Sequence, residues 1–318
     1  MTRPFPFPLR LPLFAAPMFL ISGPALVIAA CKAGIIGAFP TPNARPIAVL
    51  EDWMRAITAG LAAARAADPA ALIGPWAANL VTHSTNARLP EDLALIARYK
   101  PPIVITALGS PRPAIEVVHG YGGLVFADVI NLKLAKKAVD AGVDGLACVA
   151  AGAGGQTGSL TPFSFVPAVR EFFDGFVISG GGIANGAGIY ASRALGADLI
   201  YMGTRFIPTE ESLADPAYKQ MIIDADADDL MVSAALTGSR ASWLTPSLRA
   251  NGLDPDALPE APARNYDSST EFKDKRWLSV WAAGQGVGAI KRVQSVAAVV
   301  DELERDYLAA RERARQIA

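Results

Sequence analysis

The feature that most restricts the fold is an alternation that runs through the first two-thirds of the chain. Short apolar or β-branched runs occur at Leu13–Met18, Ile35–Phe39, Leu72–Asn79, Ile103–Leu108, Gly123–Val129, Gly145–Val149, Phe176–Gly180 and Leu199–Gly203. Helical patterns fill the intervals at Ala25–Ala33, Ile47–Ala66, Leu89–Tyr99, Pro111–His119, Leu132–Ala141, Pro167–Phe173 and Gly186–Leu195. Strands alternating with helices imply βαβ units and a parallel sheet. Eight such units predict a closed (β/α)8 TIM barrel rather than an open sheet. Glycine stands just before a strand in Ala141-Gly142-Val143-Asp144, in Leu195-Gly196-Ala197-Asp198 and after Lys32-Ala33. That is the position where a helix ends in a left-handed residue, which glycine adopts without a Cβ penalty.

Composition agrees with this architecture. Hydrophobic residues make up 52% of the 318 and charged ones 19%, as expected where parallel strands are buried on both faces. The formal net charge of −1, with both signs interspersed, predicts neither a nucleic-acid nor a membrane partner. Cys31 and Cys148 are the two cysteines and lie in apolar runs, without metal-ligand spacing or a disulfide framework. Leu11 to Cys31 carries no charge and follows Arg3 and Arg10, like a secretory leader. Pro12, Pro17, Gly23 and Pro24 interrupt it, so a strand, a loop and a helix start are expected, in a cytoplasmic protein.

Beyond Arg205 the alternation stops. The expected organisation is a barrel over residues 1–204, an appended C-terminal helical and loop region over 205–290 covering the active-site face, and a closing helix over 291–318. Within the appended region a helix is predicted near Ala217–Asp224 and a loop over Asp254–Pro262; Val293–Arg315 is the amphipathic closing helix.

In such barrels the chemistry lies at the C-terminal ends of the strands, with phosphate often bound after strands seven and eight. Strand seven ends in Ser179-Gly180-Gly181-Gly182-Ile183, before Asn185-Gly186 opens a helix; strand eight ends in Met202-Gly203-Thr204. Glycines there let backbone N–H groups approach an anion closely. The loop after strand six, Ala150 to Gly158, has glycine at 152, 154, 155 and 158, which suits backbone lying against a ligand. A separate dinucleotide domain is not expected, because Gly152, Gly154 and Gly155 lack the early strand and following acidic residue of that fingerprint.

Read together, Ala16-Pro17-Met18, Ser22-Gly23-Pro24, Cys31-Lys32-Ala33-Gly34, Asn79, Ala127–Asn131, Ala151–Gly158, Ser179–Ile183, Met202–Phe206, Tyr218–Ile222, Thr237-Gly238, Leu244–Ser247, Gly252–Asp256 and Trp281–Gly286 resemble the nitronate monooxygenase (2-nitropropane dioxygenase) family over nearly the whole chain. The resemblance implies a (β/α)8 barrel that binds FMN without covalent attachment and oxidises nitronates with O2. It assigns Met18 and Asn79 to the isoalloxazine region. Gly181, Gly182, Met202, Gly203 and Thr204 go to the phosphate, and Asp128 and Gln285 to ring or ribityl contacts. Ala16, Pro17, Gly154, Gly155, Ser179 and Gly180 join them as cofactor-binding positions.

The departures from the family bear on mechanism. Where the family usually has a histidine in the strand-six loop, this chain has Gln156, and Ala127 replaces another histidine often found before the strand-five aspartate. Glutamine can hold an anion, but it has no accessible pKa for proton abstraction. The expectation is therefore oxidation of nitronates, already anionic, with loss of most turnover of neutral nitroalkanes. His83, four residues past Asn79, is the other catalytic candidate; His119 belongs to the opposite face as a solvated helix end. Tyr190 and Tyr201 are assigned to packing, and Trp243, Trp277 and Trp281 to covering the apolar top. No His, Asp or Glu set has metal-ligand placement. The competing readings are an NAD(P)H-dependent flavin reductase of the quinone or enoyl-thioester type and a catalytically impaired flavin-binding homologue. The partners expected are a small-molecule nitronate or similar anion and O2; a homodimer is compatible with the sequence.

Overall fold

The computed structural model describes residues 4–261 and 278–317. Eight parallel strands close a barrel in the order β1–β2–β3–β4–β5–β6–β8–β9. These are β1 (Leu13–Ala15), β2 (Ile36–Pro40), β3 (Trp76–Val81), β4 (Ile103–Ala107), β5 (Leu124–Val129), β6 (Gly145–Val149), β8 (Phe176–Gly180) and β9 (Leu199–Met202). The helices between them are α1 (Pro24–Lys32), α2 (Ile47–Ala67), α3 (Leu89–Tyr99), α4 (Arg112–His119), α5 (Leu132–Ala141), α6 (Pro162–Arg170) and α7 (Gly186–Ala194).

Strand one ends at Ala15 rather than Met18 and the closing helix starts at Val296 rather than Val293; two further elements differ at their starts. Strand three begins at Trp76 rather than Leu72, because the backbone before it is bonded to the end of α1 instead of to the sheet. Gly74 donates its N–H to the Cys31 carbonyl at 2.8 Å, and Leu72 is 41% exposed. Helix six begins at Pro162 rather than Pro167. Thr161 precedes it, Pro162 occupies the first turn where its missing N–H is no loss, and Pro167 is carried inside the helix.

Alternation along the strands divides the side chains into two cores. Ala78, Leu80, Val104, Val125, Leu146, Cys148 and Val177 face outward against the helices. Phe14, Ile36, Ile103, Ile105, Phe126, Phe176, Ile178 and Leu199 fill the barrel. Phe14 meets Phe126 edge-on at 6.3 Å, and Phe126 meets Phe176 at 6.0 Å. Phe5, from the segment before β1, plugs the bottom by packing edge-on to Phe176 at 5.4 Å. Burying one such ring contributes roughly 1.5–3 kcal/mol, so the lower barrel is where the fold gains stability.

The region after β9 is more than helix and loop. Besides α8 (Pro216–Asp224) and α9 (Thr245–Ala250), it contains β10 (Leu230–Ser233) and β11 (Ala241–Leu244). These form an antiparallel sheet with β7 (Gly155–Gln156), a two-residue strand donated by the strand-six loop. Trp243 is fully buried beneath this sheet with Leu248, Val280 and Ala282, and Trp281 stacks on Tyr218 at 4.9 Å. Trp277 and Pro262 lie outside the described residues. The closing helix, α10 (Val296–Ile317), packs on α7 and α1. A methyl at Gly186 would overlap the Leu303 carbonyl and the Tyr307 nitrogen, so this glycine serves helix packing. Tyr190 packs edge-on to Tyr307 at 6.0 Å. No described helix is long and apolar enough to cross a membrane.

Candidate active site

Two residues above the lower aromatic layer, the same strands present different chemistry. Phe14 is followed inward by Ala16, Ala77 by Asn79, Phe126 by Asp128 and Leu199 by Tyr201, since alternate residues share a face. Asn79 Nδ2 donates to Asp128 Oδ2 at 3.1 Å and to the Ile105 carbonyl at 3.3 Å. Asp128 Oδ1 is shielded and has no hydrogen-bond partner; nor has the buried Tyr201 hydroxyl, although it faces the Asp128 carboxyl. Burial pushes the Asp128 carboxyl up to about 7, against the opposing pull of the Asn79 amide and the Tyr201 hydroxyl. Burial, with the Asp128 charge alongside, raises Tyr201 well above its ordinary value. Unpartnered polar groups of this kind cost stability and call for an explanation in function.

The β1–α1 loop is held over this layer by a residue that sequence reading passed over. Asn43 donates to the carbonyls of Met18 (2.9 Å) and Ser22 (2.8 Å) and accepts the Leu20 N–H (2.9 Å). Those bonds stabilise Leu20 at φ 62°, a left-handed conformation that a branched side chain avoids. The Met18 side chain lies beside Gly203, where an added methyl would stand 3.5 Å from its sulfur.

The strand-six loop, the ends of β8 and β9, and residues 282–286 interlock. The Gly152 carbonyl accepts the N–H groups of Gly182 (3.0 Å) and Gln285 (2.9 Å). Thr204 Oγ1 accepts the Gly284 N–H at 2.9 Å. A methyl on Gly154 would stand 2.6 Å from the Gly284 nitrogen, and one on Gly284 would stand 2.7 Å from the Gly152 oxygen. These two glycines are therefore required by backbone contact. Gly203 is not: its φ is −98° and a methyl there meets only ordinary contacts.

The sequence-predicted positions divide on this geometry. Ala16, Asn79 and Asp128 come together with Tyr201 at the barrel mouth, while Pro17 and Met18 belong to the loop after β1, Met18 beside Gly203. Gly180 ends β8 opposite Tyr201, and Gly181, Gly203 and Thr204 stand at the ends of β8 and β9 with N–H groups that bond no described residue. The Gly182 N–H is committed to Gly152, leaving Gly182 to contribute its left-handed turn at φ 69°. Ser179 and Met202 alternate outward into the helix layer, so only their backbones border the mouth. Gly155 and Gln156 are paired with Ser242 and Ala241, which fixes their backbone; the half-buried Gln156 side chain bonds no described residue. Gln285 is exposed and lines a cavity of about 830 Å³ with Gly181, Gly182, Phe163 and Asn185. That cavity lies between α6 and α7, and its lining includes none of Met18, Asn79, Asp128 and Tyr201.

His83 Nδ1 lies 2.9 Å from the Thr85 hydroxyl and accepts the Thr85 N–H at 3.2 Å. His119 is not merely a solvated helix end. Its Nε2 lies 2.8 Å from Asp144 Oδ2, which also accepts the Val125 N–H at the lower rim. Among the described residues no group of three His, Cys, Asp or Glu side chains could hold a metal ion.

The nitronate monooxygenase family model matches residues 6–306. The chain belongs to that family. Over 96% of its length it is 27% identical to a nitronate monooxygenase of Paraburkholderia phytofirmans, 95% of which is covered. It is also 30% identical to the Mycobacterium tuberculosis protein Rv1533, over 65% of this chain and 59% of that one. A carboxyl-CoA dehydrogenase of Rhodococcus jostii is 26% identical over 65% of this chain and 58% of that one. The chain thus spans less than two-thirds of these last two relatives. Among solved structures, nitroalkane oxidase from Streptomyces ansochromogenes matches with a TM-score of 0.80 at 22% identity, covering 96% of this chain and 98% of that one. FabK from Thermotoga maritima matches with a TM-score of 0.77 at 23% identity, over 98% and 96%. At these identities the structural matches speak for the barrel alone.

Proposed function

We propose that the chain is an FMN-dependent oxidoreductase that oxidises small alkyl nitronates with O2. The observation that carries this reading is the pairing, in a member of this family, of two features at one barrel mouth. One is a rim at Gly181, Gly203 and Thr204 whose N–H groups bond no described residue; the other is the polar layer of Asn79, Asp128 and Tyr201. Glycine at 203, where the protein alone tolerates a methyl, leaves room for a phosphate against the backbone. FMN bound here supplies two-electron oxidation of the substrate and reaction with oxygen.

The chain's own residues do the rest. Gly181, Gly203 and Thr204 hold the phosphate through backbone N–H groups, and Met18, with Asn43 behind its loop, borders the mouth. The Gln156 amide has donors to spare for a nitronate oxygen, and the β7–β11 pairing holds its backbone in place. The substrate is expected to be a small anion, used in a protein of the cytoplasm.

A second reading is favoured by the relative from Rhodococcus, named for a coenzyme A thioester: NAD(P)H-dependent reduction of a thioester or quinone on the same barrel. Oxygen uptake by the FMN-reconstituted chain separates the two. Uptake driven by propyl-2-nitronate without nicotinamide supports the first reading. Uptake that needs NADH or NADPH, with none on nitronate alone, replaces it with the second.

A further inference from the structure

Proton abstraction is the activity that Gln156 cannot provide, and the barrel mouth contains a group able to provide it. Asp128 is half-buried as a residue, and its carboxyl oxygen Oδ1 is shielded and unpartnered. Asn79 fixes the carboxyl through Oδ2, and the Tyr201 hydroxyl faces it from β9. The flanking strands present no titratable side chain to the barrel interior: β4 gives Ile103 and Ile105, and β6 gives Ala147. Among the described residues Tyr201 is the titratable neighbour that faces Asp128, and it stays neutral through the physiological range.

We propose that Asp128, positioned by Asn79 and Tyr201, is the general base of this chain, acting on carbon acids whose anion is delocalised into an adjacent nitro group. The step has a simple balance. The α C–H bond of a neutral nitroalkane breaks and its proton passes to the Asp128 carboxylate. The electron pair enters a C=N bond, and the negative charge comes to rest on the nitro oxygens. The product is the nitronate, so this inference rests on the function proposed above and extends its substrate range to the neutral acid. It reverses the expectation drawn from Gln156 alone. A base operates best when its pKa lies near the working pH, and an apolar barrel wall below a carboxyl is a general means of raising it there.

The structure explains why the pair is built with a tyrosine. When Asp128 is protonated, Oδ1 and the Tyr201 hydroxyl need not bond each other. When it is ionised, the hydroxyl can donate to the shielded oxygen and moderate the cost of the buried charge. Removing that hydroxyl leaves the carboxylate less stabilised and raises its pKa.

The test compares neutral nitroethane, freshly dissolved, with ethyl nitronate on the FMN-loaded chain. In the parent protein, kcat/KM on the neutral form is expected to rise with pH through a midpoint near 7 and then level off. In Asp128→Asn, the ratio of neutral-form to nitronate efficiency is expected to fall roughly 100-fold or more, the range of general-base catalysis. Tyr201→Phe is expected to move the midpoint upward while keeping the profile. A readout independent of turnover is the 13C carboxyl titration of Asp128 in the full chain, with a midpoint near 7 in the parent and higher in Tyr201→Phe. Equal ratios in parent and Asp128→Asn, or a midpoint in the ordinary carboxylate range near 4, would overturn the proposal. A parent protein that oxidises nitronate but not the neutral form would overturn it too and leave the function standing. A protein inert to both would remove the function itself.

Discussion

Phe126 and Asp128 are two residues apart on one strand, point into the same barrel, and face opposite demands. The lower layer, Phe14, Phe126 and Phe176, is closed by Phe5 and packs ring against ring, with the Tyr201 ring edge-on to Phe14. The layer above it trades rings for Ala16, Asn79, Asp128 and Tyr201, and leaves two buried polar oxygens without a bond. A core built for stability alone would not do this, since each unsatisfied group costs roughly 1–3 kcal/mol. The contrast shows where one continuous set of strands stops serving the fold and begins serving the ligand.

The contrast can be broken or sharpened by substitution. Phe126→Ala should produce the largest effect, a loss of about 3–5 kcal/mol in chemical denaturation; a loss below 1 kcal/mol would mean that the lower layer is not the stabilising one. Asp128→Asn should act through pH. The folded carboxyl lies at about 7 against an ordinary 3.8. Its favourable contribution is therefore complete below pH 4 and lost as pH rises through 7. The parent should lose stability relative to Asp128→Asn across that window, with a slope approaching about 1.4 kcal/mol per pH unit, and run parallel to it outside. Parallel curves throughout would place Asp128 in water. Gln156→Ala should weaken nitronate binding about 10-fold, the scale of one hydrogen bond to an anion, seen as a higher KM. Tyr201→Phe should have the smallest effect on stability, within about 1 kcal/mol and in either direction, because the hydroxyl it removes is buried without a full hydrogen bond and touches only the Asp128 carboxyl.

The barrel itself was legible because its signals are local. Apolar strands of five or six residues, glycines at helix ends and the regular spacing of βα units leave few alternatives. The glycine turn after β8 and the Met202-Gly203-Thr204 end of β9 marked the mouth for the same reason. What sequence reading missed depends on partners distant in the chain. The two-residue β7 is a strand only because Ala241 and Ser242 pair with it. The Gly182 N–H, which the glycine turn alone would offer to an anion, is taken by the Gly152 carbonyl. Ser179 and Met202 sit in the right motifs but on the wrong side of the pleat, which alternation along β8 and β9 could have shown. Tyr201 packs in the core as expected, edge-on to Phe14 at 5.1 Å, and also faces Asp128. The same alternation puts it on the Asp128 side of the barrel, but only the closed sheet brings β5 and β9 face to face.

The most direct measurement is anaerobic mixing of the FMN-loaded chain with propyl-2-nitronate while following flavin absorbance. The account predicts bleaching, or a transient red-shifted band, without any nicotinamide. An unchanged spectrum, followed by bleaching on addition of NADH or NADPH, would contradict it and make the protein a reductase.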